Sequence, residues 1–378
     1  MKELTMLNLR FTARVESTIQ LGDFKGSALR GAWQSHLRTL YCNYPPLSPL
    51  TQGGQKGGEA DPLHQQLCPV CYLLSRETNS GVDRRPYSFR PPLSDQTRYE
   101  VGESLVFEVS LFGEAQQHLA YLVVAVGEMG LQQGLGQTIH AGHKRGRFRL
   151  VQLEAVDPFR GAVELLLDVD SHEGDAVRWP TLQITEAGVL AAAERLSCCH
   201  SNSSGDLKSP DEWGQESNSS GDFKSPDELG QELTLRFLTP MRLIVEGKLV
   251  KRPEFGPFFR RLLERWSALR QQFAEQPPLD NETWDRLMAL AESVVLVRDE
   301  CRWQEVRGHS TRLDRAQELG GLMGTATYRL SQTSQVSKTY EVSPWRELWP
   351  YLLWGQVMQV GKNTVKGAGV YQLVMSNE

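Results

Sequence analysis

Residues 5–17 alternate apolar and polar side chains, with Leu7, Leu9, Phe11, Ala13 and Val15 on one face. A period of two is the mark of a half-buried strand. The period then lengthens. Leu29, Ala32, Trp33, Leu37 and Leu40 fall at helical spacing, which predicts a helix capped by Asp23 and running to about Tyr41. Residues 43–65 are rich in Pro, Gly and Gln and read as a loop. Cys68-Pro69-Val70-Cys71 follows, and then the proline-extended stretch Arg84–Pro92. Alternation returns over 98–112 through Leu105, Phe107, Val109 and Leu111. An apolar helix is predicted over 116–129. The glycines Gly130, Gly134, Gly136, Gly142 and Gly146 then lead into a strand at Arg147–Val151. Strand, helix, strand or hairpin, helix, glycine loop, strand is the β-α-β-β-α-β ferredoxin-like order.

The same order recurs after an interruption. Residues 160–198 read as an extended segment and a short helix around Ala187–Leu196. Ser201–Glu216 is then repeated as Ser217–Glu232, with only Leu207/Phe223 and Trp213/Leu229 differing. Two copies of a polar unit this short cannot build a solenoid, and the composition is that of a disordered linker. Beyond it, Leu233–Val250 alternates as one or two strands. Phe258, Phe259, Leu262, Leu263, Trp266 and Leu269 mark an amphipathic helix, and a second helix is predicted over 284–298. Glu318–Tyr328 is a glycine turn entering a strand. Pro344 opens a helix with Trp345, Leu348, Trp349, Leu352 and Leu353. That helix delivers the loop Val360–Val370 and a last strand. The predicted class is α+β: two tandem ferredoxin-like domains at 1–158 and 233–378, joined by a connecting segment at 159–232.

The terminal loop is the most pointed local feature. Gly361, Gly367 and Gly369 bracket Lys362, Asn363 and Lys366. Glycine lets a backbone approach a ligand closely, and successive N–H groups can form a nest for phosphate oxygens. An ordinary glycine-rich helix-to-strand turn is the alternative. The net charge of −5 argues against a polyanion partner only on average. The duplicated stretch 201–232 holds eight acidic and two basic residues, a net of −6, which leaves +1 for the rest. The basic residues cluster at Lys144, Arg145, Arg147 and Arg149 and again at Lys248, Lys251, Arg252, Arg260, Arg261 and Arg265. Local patches matter more to a nucleic acid than the total. There is no run of eighteen apolar residues and no signal-like apolar core at the N-terminus, so no membrane partner is expected. Six cysteines without a secretory signal suit a reducing cytoplasm.

Several stretches together resemble a known family. They are Phe24-Lys25-Gly26-Ser27-Ala28-Leu29-Arg30-Gly31-Ala32-Trp33, Cys68–Tyr72, Gly134-Leu135-Gly136 with Gly146-Arg147-Phe148, and Leu238-Thr239-Pro240-Met241-Arg242-Leu243. The helix Phe258–Leu269, the run from Ser310 to Gly324, and Gly361–Val370 complete the set. The chain resembles the CRISPR repeat-RNA-processing endoribonucleases of the RAMP superfamily. The resemblance implies two ferredoxin-like folds that bind repeat RNA and cut it without metal or cofactor. The 2′-hydroxyl would attack the adjacent phosphate, leaving a 2′,3′-cyclic phosphate and a 5′-hydroxyl. Such chemistry needs a base, an acid and positive groups. It also implies a catalytic histidine on or just after the first helix. Precursor and mature guide RNA, and subunits of a CRISPR effector complex, are the implied partners. A non-catalytic RNA-binding subunit of such a complex is the alternative, because fold does not settle activity.

His36 is the first catalytic candidate, bordering the apolar stripe of the first helix; a structural histidine is the alternative. Arg38 could stabilise phosphate charge, while Tyr41 reads as packing. His309, before Arg312 and Arg315, is a second candidate. Lys144, Arg145 and Arg147, with Gly361, Lys362, Asn363, Lys366, Gly367 and Gly369, are the expected RNA contacts. His140 and His143 read as surface groups. Cys42, His64, Cys68 and Cys71 could make a four-ligand zinc site. With no second CxxC, a free-thiol pair stands beside that reading, and no metal is expected.

Overall fold

A computed structural model describes residues 2–42, 64, 67–74, 84–141, 144–171, 176–201, 232–310, 315–330 and 345–374. The first half runs β1 (Thr5–Val15), β2 (Ile19–Gln20), α1 (Lys25–Tyr41), α2 (Pro69–Leu74), β3 (Tyr87–Arg90), β4 (Arg98–Tyr99), β5 (Ser104–Phe112) and α3 (Leu119–Glu128). It continues through β6 (Leu135–His140), β7 (Lys144–Gly146), β8 (Phe148–Asp157), β9 (Ala162–Asp168), β10 (Ile184–Thr185) and α4 (Glu186–Ser201). The main sheet has the antiparallel order β3-β5-β1-β8-β9. Its first four strands reproduce the ferredoxin-like arrangement, with α1 and α3 as the two crossovers. The alternation read in the sequence sets the register. Phe11 sits opposite Phe107, and their rings stack at 5.3 Å between centroids. Trp33 of α1 is fully buried and meets Tyr87 and Phe89 of β3 edge-on.

The second half holds β11 (Glu232–Met241), β12 (Leu243–Val245), β13 (Lys248–Val250), α5 (Phe255–Phe273) and α6 (Asn281–Glu292). Then come β14 (Val294–Gln304), β15 (Arg307–Ser310), β16 (Arg315–Glu318), β17 (Gly321–Leu330), α7 (Trp345–Met358) and β18 (Tyr371–Val374). Its sheet order, β14-β17-β11-β18, is the ferredoxin-like one again. The expected α+β class and the tandem plan therefore hold.

Several expectations are corrected. Asp23 does not cap α1: the N-cap is Phe24, with no side-chain cap hydrogen bond. Leu40 is 41% exposed, outside the buried stripe. The helix predicted over 116–129 is a 3-10 turn at Gly113–His118, then α3, then a π turn at Met129–Gln133. The helix predicted over 284–298 ends at Glu292. Val294 and Val295 are β-branched, and with Leu296 they pair along β17 instead of continuing the helix, while Val297 falls at the register shift before Arg298. The extended segment and short helix expected over 160–198 are present, the helix as α4. β9 widens the first sheet, β10 pairs with the start of β1, and α4 packs on α7. Ser201 ends α4 and Glu232 opens β11, while the duplicated residues 202–231 lie outside the described residues.

The two halves share a hydrophobic cluster. Leu4, Met6 and Phe112 from the first pack with Phe273, Val357 and Met358 from the second. Gln359 Nε2 donates to the Phe89 carbonyl at 2.5 Å, and Ser110 Oγ to the Val357 carbonyl at 3.4 Å. Among the described residues no helix is long and apolar enough to cross a membrane.

Candidate nucleic-acid interface and active site

His36 faces inward from α1 and is 5% exposed. Neither ring nitrogen has a hydrogen-bond partner among the described residues. Burial pushes the imidazole below its ordinary pKa, and the Glu128 carboxylate opposes that shift. A neutral imidazole offers one donor and one acceptor, and here both are unused. Arg38 does not join it. Two helical residues apart is about 200° around the axis, and Arg38 is half-buried on another face. Tyr41 packs edge-on to Tyr121 at 5.0 Å, as expected of a packing residue.

The residue beside His36 leads to the basic cluster. Gln133 Nε2 donates to Ser35 Oγ at 3.5 Å. With Gln132, Lys144, Arg145 and Arg147, Gln133 lines a cleft of about 250 Å³. An adjoining cleft of about 410 Å³ is lined by Glu16, Ser17 and the same three cations. Lys144, Arg145 and Arg147 are exposed and make no ion pair among the described residues. Arg149 is different: Glu16 and Asp170 each stand 3.8 Å from its guanidinium. The free cations are therefore a subset of the predicted cluster. The Arg147 backbone is fixed by its N–H donating to Ser17 Oγ at 2.8 Å. His140 closes β6, and His143 lies outside the described residues.

The terminal loop is less open than a phosphate nest requires. The amides of Lys362, Lys366, Gly367, Ala368 and Gly369 donate to carbonyls of Arg242, Asn363, Thr364, Asn363 and Pro240. Thr239 Oγ1 accepts from Val370 N at 2.9 Å. Those amides are spent within the fold, so the nest reading is corrected for them. Gly367 and Gly369 are buried, Gly361 and Asn363 half-buried and Lys362 exposed. Lys366 Nζ donates to Gln317 Oε1 at 2.5 Å, and Gln317 Nε2 donates to Asn363 Oδ1 at 3.1 Å. The loop is also a joint between the halves. A Cβ on Gly26, in the first turn of α1, would lie 1.9 Å from the Lys366 carbonyl oxygen, and one on Gly367 would lie 2.4 Å from Pro91.

His309 sits on β15 opposite Ala316 of β16. Gln317, one residue on, holds the terminal loop, so the His309 hairpin and that loop are physically joined. Arg312 lies outside the described residues. Gln132, Gln133, Ser17 and Gln317 were not legible beforehand, because isolated polar residues carry no periodicity.

The four candidate metal ligands do converge. One ligand atom from each of Cys42, His64, Cys68 and Cys71 lies within 4.8 Å of the others. Cys42 Sγ is 3.5 Å from His64 Nε2 and 3.7 Å from Cys71 Sγ. Burial first, and the neighbouring thiols second, push the Cys71 thiol up to about 12.

Comparison with known proteins adds the following. Residues 4–177 match the AF_1859_N family model, described as an N-terminal domain. Residues 235–371 match the family model of the CRISPR-associated endoribonuclease Cas6. No curated protein matches. A Thermus thermophilus Cas6 structure is 14% identical, with 98% of this chain and 99% of that one covered and a TM-score of 0.49. A chain of a partial Cas6-RT-Cas1–Cas2 complex is 14% identical, with 100% of this chain and 47% of that one covered and a TM-score of 0.52. The Cas6-RT-Cas1–Cas2 complex gives the same identity and TM-score over 29% of that chain. The present chain thus spans about half, or less, of those two chains, and the likeness is one of fold.

Proposed function

We propose that this chain is a CRISPR-associated RAMP protein of the Cas6 type that binds CRISPR repeat RNA and cuts precursor transcripts into guide RNAs. Cleavage in this reading is metal-independent. The 2′-hydroxyl at the scissile position attacks the adjacent phosphorus and the 5′-oxygen leaves. The products are a 2′,3′-cyclic phosphate and a 5′-hydroxyl. The observation that carries the reading is His36: a buried imidazole with no hydrogen-bond partner among the described residues, on the helix that borders a cleft whose cations make no ion pair among those residues. It would take the 2′-hydroxyl proton or give one to the leaving oxygen. Lys144, Arg145 and Arg147 would hold the phosphate backbone. The exposed Lys362 would extend that track, and His309 is a second proton-transfer candidate. Selection for RNA over DNA follows from the nucleophile, which DNA lacks. Cys42, Cys68, Cys71 and Cys301 form no disulfide, which suits a cytoplasmic setting.

The test is cleavage of a cognate repeat RNA in excess EDTA, with the fold monitored by circular dichroism. Cutting that persists, and stops when the scissile 2′-hydroxyl is replaced by hydrogen, supports the mechanism. An unchanged single-turnover rate in His36→Ala removes His36 from it. One observation favours the second reading, a non-cutting RNA-binding subunit of an effector complex. His36 is buried, so a side-chain or helix movement must precede contact with a phosphate. Tight repeat binding without cutting would establish that reading.

A further inference from the structure

The geometry points to a structural zinc(II) site formed by Cys42, His64, Cys68 and Cys71. A zinc ion binds thiolate sulfur at about 2.3 Å and imidazole nitrogen at about 2.0–2.1 Å, tetrahedrally. Two sulfurs on such an ion stand about 3.8 Å apart, and a sulfur and a nitrogen about 3.5 Å apart. The Cys42–Cys71 and Cys42–His64 separations, 3.7 and 3.5 Å, are those edges. They are too long for a disulfide, whose sulfurs stand about 2.05 Å apart. Three cysteine sulfurs and one imidazole nitrogen gathered within 4.8 Å of one another favour zinc over the hard, oxygen-seeking cations. Four protein ligands leave no position for water or substrate, so the ion is structural, not catalytic. On binding, the thiols release their protons to solvent as the sulfur–zinc bonds form.

The local fold explains how the ligands meet. Cys42 is the C-cap residue of α1, its N–H donating to the Arg38 carbonyl at 3.0 Å. Cys68 immediately precedes α2, and Cys71 lies in its first turn. The Cys68 N–H donates to the His64 carbonyl at 2.9 Å, folding His64 back toward the CxxC. The ion would tie the end of the His36-bearing helix to α2 across a long sequence gap. The inference is independent of whether the chain cuts RNA.

The test is metal analysis of untagged protein purified without chelator. About one zinc per chain is expected, retained in Cys301→Ser and lost in Cys68→Ser and Cys71→Ser. Because those variants could unfold, the wild-type apoprotein is also titrated with cobalt(II). Tetrahedral d–d absorption and thiolate-to-cobalt charge transfer are expected, together with a raised unfolding temperature that chelator reverses. Folded protein that carries no zinc and shows neither cobalt spectrum nor thermal shift overturns the site. Full zinc content in folded Cys68→Ser overturns the ligand set.

Discussion

Replacing Gly26 by alanine tests the joint between α1 and the terminal loop, because helix propensity and packing predict opposite signs. Within a helix, Gly→Ala gains about 0.5–1 kcal/mol. At Gly26 the added carbon would sit 1.9 Å from the Lys366 carbonyl oxygen and 2.8 Å from its carbon, where ordinary contact begins at 3.4 Å. Both obstacles are backbone, so relief requires the helix and the loop to separate by about 1.5 Å. Overpacking of that kind costs roughly 1–3 kcal/mol, which outweighs the propensity gain. Gly31 supplies the control. It lies in the same helix, is exposed, and has nothing within 4 Å of its would-be Cβ. Gly31→Ala is expected to stabilise by about 0.5–1 kcal/mol and Gly26→Ala to destabilise by about 1–2 kcal/mol. At 2–4 °C per kcal/mol, the two melting temperatures should differ by roughly 3–12 °C. Differential scanning calorimetry reads both. Gly26→Ala melting at or above Gly31→Ala would refute the close seating of the loop on α1.

Other expectations follow from the site. Substituting Lys144, Arg145 and Arg147 together by glutamine should weaken repeat-RNA binding. It should also flatten the dependence of log K on log salt by roughly 0.7 per lost phosphate contact, measured by filter binding at several salt concentrations. If neutral His36 acts as the base, the single-turnover rate should be flat above pH 6.5 and fall only below it, since burial holds the imidazole under the ordinary 6.5. The same sign governs stability. His36 and His118 are both lowered by burial, so the unfolded chain binds protons more readily, and stability should fall as pH drops below 6.5. Thermal melts between pH 7.5 and 5.5 check this, and His118→Phe, placed against Tyr72 and Tyr121, should remove part of the slope.

Much of the architecture was legible because it rests on short-range periodicity. Leu7 to Val15 and Leu105 to Leu111 read as strands and pair as such. The errors fall where tertiary context overrides local pattern. Val294–Val297 continues a helical pattern in sequence, yet it serves as an edge strand. The glycine loop was the opposite case. Its glycines do mark a close approach, but glycine permits close approach to a ligand or to another piece of backbone, and sequence cannot distinguish the two. Here the neighbours of Gly26 and Gly367 are protein. The zinc ligands were identifiable by residue type alone, and only the fold shows that His64 reaches the three sulfurs.

The crossing point between the halves has a practical consequence. β10 ends at Thr185 in the first sheet, and α4 begins at Glu186 and packs into the core of the second half. The polypeptide therefore changes halves between those two residues, not in the duplicated stretch. Ser201 and Glu232 then bound a stretch of chain that joins two elements of one core. A single cut in that stretch would leave α4 on the first fragment and its packing partners on the second. The pieces should behave as a complementing pair, co-purifying and co-melting as one particle, and that stretch is the natural place to divide this protein for fragment reassembly.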